Sequence, residues 1–226
     1  MGTVQRAGII GNDPLADCGA MLIGKLKTRT AGAEQLALAG GILLVVLHIA
    51  PIGAALEYQR DLLGAQAWRA LSAHMVHINW PHVLVNAAAW WVVARLFAPE
   101  LPARRQLLSL LAGALAISGG LYVVYPAIAW YRGFSGVLHA LFFAGAATWL
   151  LRSVAGSRSM RTLWLPVLLL AGGWIKVVLE QPSGGTTPFS EWLGAATVPQ
   201  AHLLGALAGT VIGAFFSVRP PGSAGE

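Results

Sequence analysis

The sequence predicts an all-α membrane protein built as a bundle of six transmembrane helices, on the evidence of its composition and of its apolar runs. Hydrophobic residues make up 56% of the 226 residues and charged residues only 11%, whereas a soluble domain carries about 25% charged residues. Six apolar stretches reach or approach the roughly 20 residues with which a helix crosses a bilayer. They cover residues 35–56, 81–97, 106–125, 135–151, 160–179 and 199–216.

The short gaps between these stretches indicate a single membrane domain at 35–217. We expect residues 1–34 to form a cytoplasmic leader, because basic residues gather just before the first span, and 218–226 to form a cytoplasmic tail. A cleaved signal peptide is not expected, since no small-residue cleavage pattern follows a short apolar core. Cys18 is the only cysteine, which excludes an intramolecular disulfide.

The distribution of basic residues predicts the orientation. With the N-terminus inside, eleven of the 15 Lys and Arg residues fall on inner segments and four on outer ones. Because short cytoplasmic loops retain positive charge, both termini should be cytoplasmic. The net charge of +6 then reflects topology and contact with anionic lipid, and no nucleic-acid partner is expected. The inner residues are Arg6, Lys25, Lys27, Arg29, Arg95, Arg104, Arg105, Arg152, Arg158, Arg161 and Arg219, and the outer ones are Arg60, Arg69, Arg132 and Lys176.

Five polar side chains interrupt the apolar stretches at one predicted depth: His82 and Asn86 in the second span, Ser135 and His139 in the fourth, and His202 in the sixth. In this topology these three spans begin at the outer face, and the five residues lie in their first two turns, which rise about 11 Å. Ionisable groups at membrane depth are costly and therefore suggest function. We expect a site below the outer surface that water reaches from one side.

The other histidines have structural interpretations. His48 has no polar companion in the first span, which favours a hydrogen bond between helices. His74 and His77 precede the second span and are interpreted as interfacial residues, with His77 also a candidate for shaping the cavity. For each site residue alone, contact between helices is an equally good interpretation. The convergence of several such residues on three helices favours a site.

Ser135 has the surroundings of a nucleophile. Gly133 and Gly136 flank it, and glycines let a ligand approach the backbone closely, while a helix N-terminus presents N–H groups to a developing negative charge. A serine hydroxyl needs a base to take its proton, and His202 is the candidate. All nine Asp and Glu residues lie outside the predicted spans. The sequence therefore predicts a Ser-His dyad rather than a triad.

Further residues complete the predicted site. His82, the Asn86 amide and the backbone N–H of Ser135 are candidate donors to an oxyanion, and one such donor contributes about a hundredfold or more in rate. Glu180 and Glu191 are interpreted as residues that merely flank the apolar stretches.

A stripe of small residues runs along the sixth span at Gly205, Gly209 and Gly213. Such a stripe permits close contact between helices, and here it would press the helix of His202 against the fourth span. Ordinary packing and a dimer face are alternative interpretations of the same stripe.

Three motifs resemble the rhomboid family of intramembrane proteases. Gly133-Phe134-Ser135-Gly136 and Ala201-His202-Leu203-Leu204-Gly205 are similar to the GxSG and AHxxG pair of that family. His77, His82 and Asn86 have the H-x4-H-x3-N spacing of its second span. The resemblance implies a rhomboid-like six-helix bundle with an active site that opens to the outer, periplasmic face. It also implies that Ser135 and His202 are catalytic, that His82 and Asn86 stabilise the oxyanion, and that Gly133, Gly136, His139 and Gly205 shape the site.

The run from Tyr131 to His139 resembles the rhombosortase branch, in which GxSGxLHG replaces the usual GxSGxxYA, although Ala140 stands where that branch has glycine. The stretch from Trp174 to Pro182 is also similar to it. The resemblance implies a multi-pass enzyme of the bacterial inner membrane. Its substrates would be membrane-anchored proteins with a C-terminal GlyGly-CTERM tail, which combines a Gly-rich motif, a transmembrane helix and a basic end.

Three alternatives stay open at the sequence level. A general rhomboid protease would cut other single-span membrane proteins, and a non-catalytic rhomboid-like protein would only bind transmembrane segments. A small transporter or proton channel would use the histidines as a relay. No cofactor and no metal ion are expected, because the histidines lack a convincing set of partner ligands.

Overall fold

The computed structural model describes residues 14–156, 160–194 and 196–218, and in these ranges the protein is a helical bundle. The predicted all-α class is confirmed. The described helices are α1 (Pro14–Ile49), α2 (Gly53–Leu56), α3 (Arg69–Ser72), α4 (Trp80–Phe97), α5 (Ala103–Val124), α6 (Ser135–Ala155), α7 (Met160–Glu180), α8 (Pro188–Leu193) and α9 (Pro199–Val218). Two short strands, β1 (Tyr58–Gln59) and β2 (Trp130–Tyr131), pair antiparallel, and 3₁₀ turns lie at Arg60–Leu62, Ala73–Met75 and Gln181–Ser183.

Five of the described helices are long and apolar enough to cross a bilayer: α1 from Lys27 onward, α5, α6, α7 and α9. The predicted second span corresponds to α4, which has 18 residues. α4 is not among the five described helices that are long and apolar enough to cross a bilayer. The count of six spans therefore stays a prediction.

The first helix differs from the predicted span at both ends. It ends at Ile49, and α2 is a separate short helix. Pro51 explains the break, because proline lacks an N–H and disfavours helical conformation in the residue before it. At the other end α1 begins at Pro14, so part of the predicted leader is helical.

The ends of the chain carry predictions that the structure does not test. Residues 1–13 of the predicted leader and 219–226 of the predicted tail lie outside the described residues, as do three basic residues used for the orientation, Arg6, Arg158 and Arg219. The domain boundaries and the cytoplasmic placement of both termini stay predictions.

The central helix is α6, whose many buried side chains face α4, α5, α7 and α9. The glycine stripe of α9 lies against it, as the sequence predicted. A Cβ atom at Gly205, Gly209 or Gly213 would overlap the backbone carbonyl oxygens of Gly136, Ala140 and Ala144, respectively. The absence of side chains therefore lets the helix that carries His202 contact the backbone of the helix that begins with Ser135.

The chain ahead of α6 is fixed to the connection between α1 and α4. In the strand pair, Tyr58 lies opposite Tyr131. Glu57 accepts hydrogen bonds from Trp130 Nε1 and Arg132 Nε, each at 2.6 Å. Burial alone would raise the pKa of Glu57, but these hydrogen bonds outweigh burial and its pKa lies below the ordinary value. Glu57 is therefore an anion that ties the two segments together.

His74 and His48, which are not among the predicted site residues, contact neighbouring parts of the bundle. His74 is buried rather than interfacial, and its Nε2 lies 3.1 Å from the Ala114 carbonyl oxygen and 3.0 Å from Ser118 Oγ. His48 is half-buried where α1 meets α4, with its ring centroid 4.7 Å from that of Trp80. This is a contact between rings, whereas the sequence analysis favoured a hydrogen bond between helices for His48.

Candidate active site

The predicted site residues lie at one end of the bundle, at the N-terminal ends of three helices. His82 and Asn86 lie in the first two turns of α4, Ser135 begins α6, and His202 lies in the first turn of α9. The common depth inferred from the topology therefore has a structural counterpart.

Asn79 caps the start of α4. Asn79 Oδ1 accepts a hydrogen bond from the backbone N–H of His82 at 3.0 Å, and Pro81 lies in the first turn. The Asn79 amide also donates to the Leu193 carbonyl oxygen at 2.7 Å. The same residue thus starts the helix and attaches the end of α8 beside the site.

The backbone turns at Gly133, just ahead of Ser135. Its φ is +128°, in a region that favours glycine. The Gly133 N–H donates to the Ala73 carbonyl oxygen at 3.1 Å, and its own carbonyl accepts from Tyr131 Oη at 2.5 Å. The turn directs Ser135 into the first position of α6, where backbone N–H groups have no partner within the helix.

Ser135 and His202 are in hydrogen-bond contact: Ser135 Oγ lies 2.9 Å from His202 Nε2. His202 is buried and Ser135 is half-buried. Gly136 and Gly205 permit the approach, because a Cβ on Gly205 would overlap the Gly136 carbonyl and one on Gly136 would come within 3.0 Å of the Ala201 oxygen. These are the contacts expected of glycines that shape the site.

The imidazole of His202 also has an acidic partner, which the sequence analysis had excluded. Glu180 Oε2 lies 2.9 Å from His202 Nδ1. The sequence predicted a dyad without an acid, whereas α7 ends at Glu180, at the end of the bundle where α6 and α9 begin. Glu191, by contrast, is exposed on α8. The hydroxyl of Ser135, the imidazole of His202 and the carboxylate of Glu180 therefore form a hydrogen-bonded row.

His139 connects Ser135 to a lysine. Its Nδ1 lies 2.7 Å from the Ser135 carbonyl oxygen, and its Nε2 lies 3.2 Å from Lys176 Nζ. The His139 ring stacks on His202 with a centroid distance of 4.3 Å and an interplanar angle of 17°. Lys176 Nζ also donates to Glu180 Oε1 at 2.6 Å. One group of side chains thus surrounds the candidate base.

At the start of α4, buried polar atoms have no hydrogen-bond partner among the described residues: His82 Nδ1, Asn86 Nδ2 and both ring nitrogens of His77. Buried polar groups in proteins are normally paired, so these atoms are available to a ligand. The His82 ring lies beside the turn, because a Cβ on Gly133 would be 3.1 Å from His82 Cε1.

His77 packs edge-on against His82, with ring centroids 5.1 Å apart. Burial, reinforced by the nearby His82 and His48, lowers the pKa of His77 to about 3. The ring is therefore neutral at neutral pH. The role of His77 in shaping the cavity stays a prediction.

A metal ion does not fit the cluster around His202. His139, Glu180 and His202 do bring potential ligand atoms within 4.8 Å of one another. The Lys176 ammonium, however, already contacts both His139 and Glu180, and it would repel a second cation. We assign the cluster to hydrogen bonding.

A family model described as the rhomboid domain matches residues 64–219. The chain belongs to the rhomboid family. Rhomboid proteins are in general intramembrane serine proteases that act on membrane proteins within the bilayer. The match and the apolar helices make this rhomboid protein a multi-pass membrane protein. No curated protein matches the chain.

Sequence reasoning missed Glu180 and Lys176, although a signal for them existed. In the predicted topology the fifth span ends at the face where the second, fourth and sixth begin. Lys176 and Glu180 are four residues apart at that end, so they project from one face of the helix. Lys176 lies inside the predicted fifth span and Glu180 directly after it, but neither was grouped with the polar residues at the starts of the other spans.

Proposed function

We propose that this rhomboid protein is an intramembrane serine endopeptidase of the rhombosortase branch, with Ser135 as nucleophile and His202 as general base. The observation that carries the proposal is the 2.9 Å contact between Ser135 Oγ and His202 Nε2 in a partly buried site. A neutral imidazole at this distance can take the hydroxyl proton as the oxygen attacks a peptide carbonyl.

The proton and the bonds are accounted for at each step. As the bond between Ser135 Oγ and the carbonyl carbon forms, the proton moves to His202 Nε2. His202 then gives it to the leaving amine nitrogen as the C–N bond breaks. Water then attacks the acyl-enzyme: its proton moves to His202 Nε2 as the new C–O bond forms, and His202 returns a proton to Ser135 Oγ as the acyl bond to that oxygen breaks. A different nucleophile in place of water would give transfer rather than hydrolysis.

The negative charge on the carbonyl oxygen needs donors in fixed positions. The backbone N–H of Ser135 is one, since it begins a helix. His82 and Asn86 are the others, and both carry buried nitrogens without a partner among the described residues. Their positions on α4, beside the turn at Gly133, support this role.

The proposed substrates are membrane-anchored proteins with a C-terminal GlyGly-CTERM tail. Two stretches that resemble the rhombosortase branch, Tyr131–His139 and Trp174–Pro182, contact each other through His139 and Lys176. Glycines in such a tail suit a submerged site, because they let a transmembrane helix unwind so that its backbone reaches the nucleophile.

We further propose that the site faces the periplasm and both termini face the cytoplasm of a bacterial inner membrane. Arg95, Arg105 and Arg152 support this, since they lie near helix ends at the opposite end of the bundle from Ser135. Positive charge is retained on the cytoplasmic side.

The test compares two substrates and three forms of the enzyme in cells. A protein with a GlyGly-CTERM tail and an ordinary single-span rhomboid substrate are each co-expressed with wild type, Ser135→Ala or Ser217→Ala, and cut sites are mapped by mass spectrometry. Ser217 provides the matched control, because it lies near the other end of α9.

We expect wild type and Ser217→Ala to cut the tail near its glycines, and Ser135→Ala to leave it intact. Undiminished cutting by Ser135→Ala would remove the protease proposal. Cutting of the ordinary substrate alone would replace the rhombosortase assignment by a general rhomboid protease. Absence of cutting by a folded wild-type protein would favour a non-catalytic binder of transmembrane segments.

A further inference from the structure

A continuous chain of hydrogen bonds surrounds the candidate base. It starts at the Ser135 carbonyl oxygen and passes through His139, Lys176, Glu180 and His202. It returns to the Ser135 hydroxyl, and its five distances lie between 2.6 and 3.2 Å. The chain thus begins and ends on the residue that we propose as nucleophile.

The chemistry of the groups fixes the direction of the bonds around His139. A carbonyl oxygen only accepts, so His139 Nδ1 must carry the hydrogen that it donates to Ser135. In a neutral ring the other nitrogen, Nε2, is then an acceptor. Lys176 Nζ only donates, so it fits that acceptor.

The same reasoning applies on the other side of Lys176. Glu180 accepts from Lys176 through Oε1, and as a carboxylate it can only accept through Oε2 as well. His202 Nδ1 must therefore carry its hydrogen toward Glu180. His202 Nε2 is left with a lone pair facing the Ser135 hydroxyl, which is the tautomer that a general base needs.

We propose that Glu180 and Lys176 are positioning residues that hold His202 in its reactive tautomer, Glu180 directly and Lys176 through Glu180 and His139. When His202 takes the proton from Ser135, the Glu180 carboxylate also stabilises the imidazolium that forms. The inference rests on the proposed serine-protease chemistry and adds an acidic member to the predicted dyad.

Lys176 has a second effect, which opposes that of Glu180. Its side chain is 53% exposed, so it brings a positive charge from the edge of the site toward His139 and His202. The titratable and charged groups that face His202 are Glu180 and Lys176 on α7, His139 on α6 and His82 on α4. Removing Glu180 or Lys176 changes the charge around the base in opposite directions.

The experiment measures how fast a fluorophosphonate labels Ser135 between pH 4 and pH 9 in detergent. Wild type is compared with Glu180→Gln, Lys176→Met and the control Glu191→Gln, which makes the same change at an exposed acid of α8. Thermal unfolding of each variant is recorded beside its labelling rate. Labelling needs no knowledge of the natural substrate.

For Glu180→Gln we expect labelling to slow by about 10²- to 10⁴-fold, the upper figure being the effect of the corresponding change in a Ser-His-Asp protease. The acid limb of its pH profile should move down by about one pH unit or more, because the imidazolium loses its anionic neighbour. For Lys176→Met the limb should move up by a smaller amount, since the lysine is partly in solvent. Glu191→Gln should match wild type.

Wild-type rate and pH profile in Glu180→Gln would overturn the inference. If Glu180 and Lys176 had purely structural roles, their variants would unfold at lower temperature, and the acid limbs of the two pH profiles would not move in opposite directions. That result would also overturn the inference. If Glu180→Gln does not fold, the shift of the acid limb in the pH profile of Lys176→Met provides the test, because Lys176 is exposed. Failure of wild type to label at Ser135 would instead overturn the proposed function itself.

Discussion

Among single residues, His74 is one whose protonation state is determined by burial. Its Nε2 contacts a carbonyl oxygen and a serine hydroxyl, whereas its Nδ1 has no partner among the described residues. Protonation would place a charge on that buried atom. Burial accordingly lowers the pKa of His74 to about 4.

This predicts a loss of stability in mild acid. An unfolded histidine has a pKa of about 6.5, so between that pH and about 4 the unfolded state binds a proton that the native state does not, and stability falls as pH falls. The full contribution is on the order of 3 kcal/mol. Thermal unfolding in detergent at pH 7 and pH 4.5 should show a larger decline for wild type than for His74→Gln, which cannot titrate.

An equal decline in the two proteins would contradict this account of His74. His77, whose pKa is also lowered by burial, is present in both proteins and contributes to the decline in each. The comparison therefore isolates His74.

Among the helices, α7 brings Glu180 to the site although it is the least buried of the five spans. It packs on α6 through Gly173 and Trp174. A Cβ on Gly173 would come within 2.9 Å of the Phe142 ring and 3.0 Å of the Phe143 ring, and Trp174 packs against Phe143 at a centroid distance of 5.0 Å. The separation of α7 from α6 therefore depends on a glycine.

A large side chain at Gly173 should push α7 outward and separate Glu180 from His202. We expect Gly173→Leu to slow cleavage by about 10²-fold, since a displacement of 1 Å can have that effect in an active site. Gly172→Leu is the matched control, because a Cβ at that neighbouring position meets nothing within 4 Å. Cleavage rates in proteoliposomes check both variants, and equal rates would show that the separation of α7 from α6 does not affect cleavage.

Helix boundaries show where sequence reasoning at this scale worked and where it failed. The cap at Asn79 and the glycine stripe of α9 were predictable, because each depends on local chemistry. The contact of Glu180 with His202 was not, although the predicted span ended at 179 and α7 ends at Glu180, because that contact depends on which side of α7 faces the site.

For the whole molecule, most of what the sequence predicted followed from the topology of the spans. Alternation of the spans put the starts of α4, α6 and α9 at one end, and this sufficed to group Ser135, His202, His82 and Asn86. It did not reveal which side chains touch, because contacts of His139 with Lys176 depend on helix rotation and spacing. The number of spans also stays a prediction, since α4 is not among the five described helices that are long and apolar enough to cross a bilayer.

The central claim is that His202 activates Ser135, and mapping a covalent adduct tests it most directly. The purified protein is treated with a fluorophosphonate and digested, and the modified residue is identified by mass spectrometry. We expect an adduct on Ser135 in wild type and no adduct in His202→Ala, although that variant keeps the Ser135 hydroxyl. An unmodified Ser135 in folded wild-type protein, or undiminished labelling in His202→Ala, would contradict it.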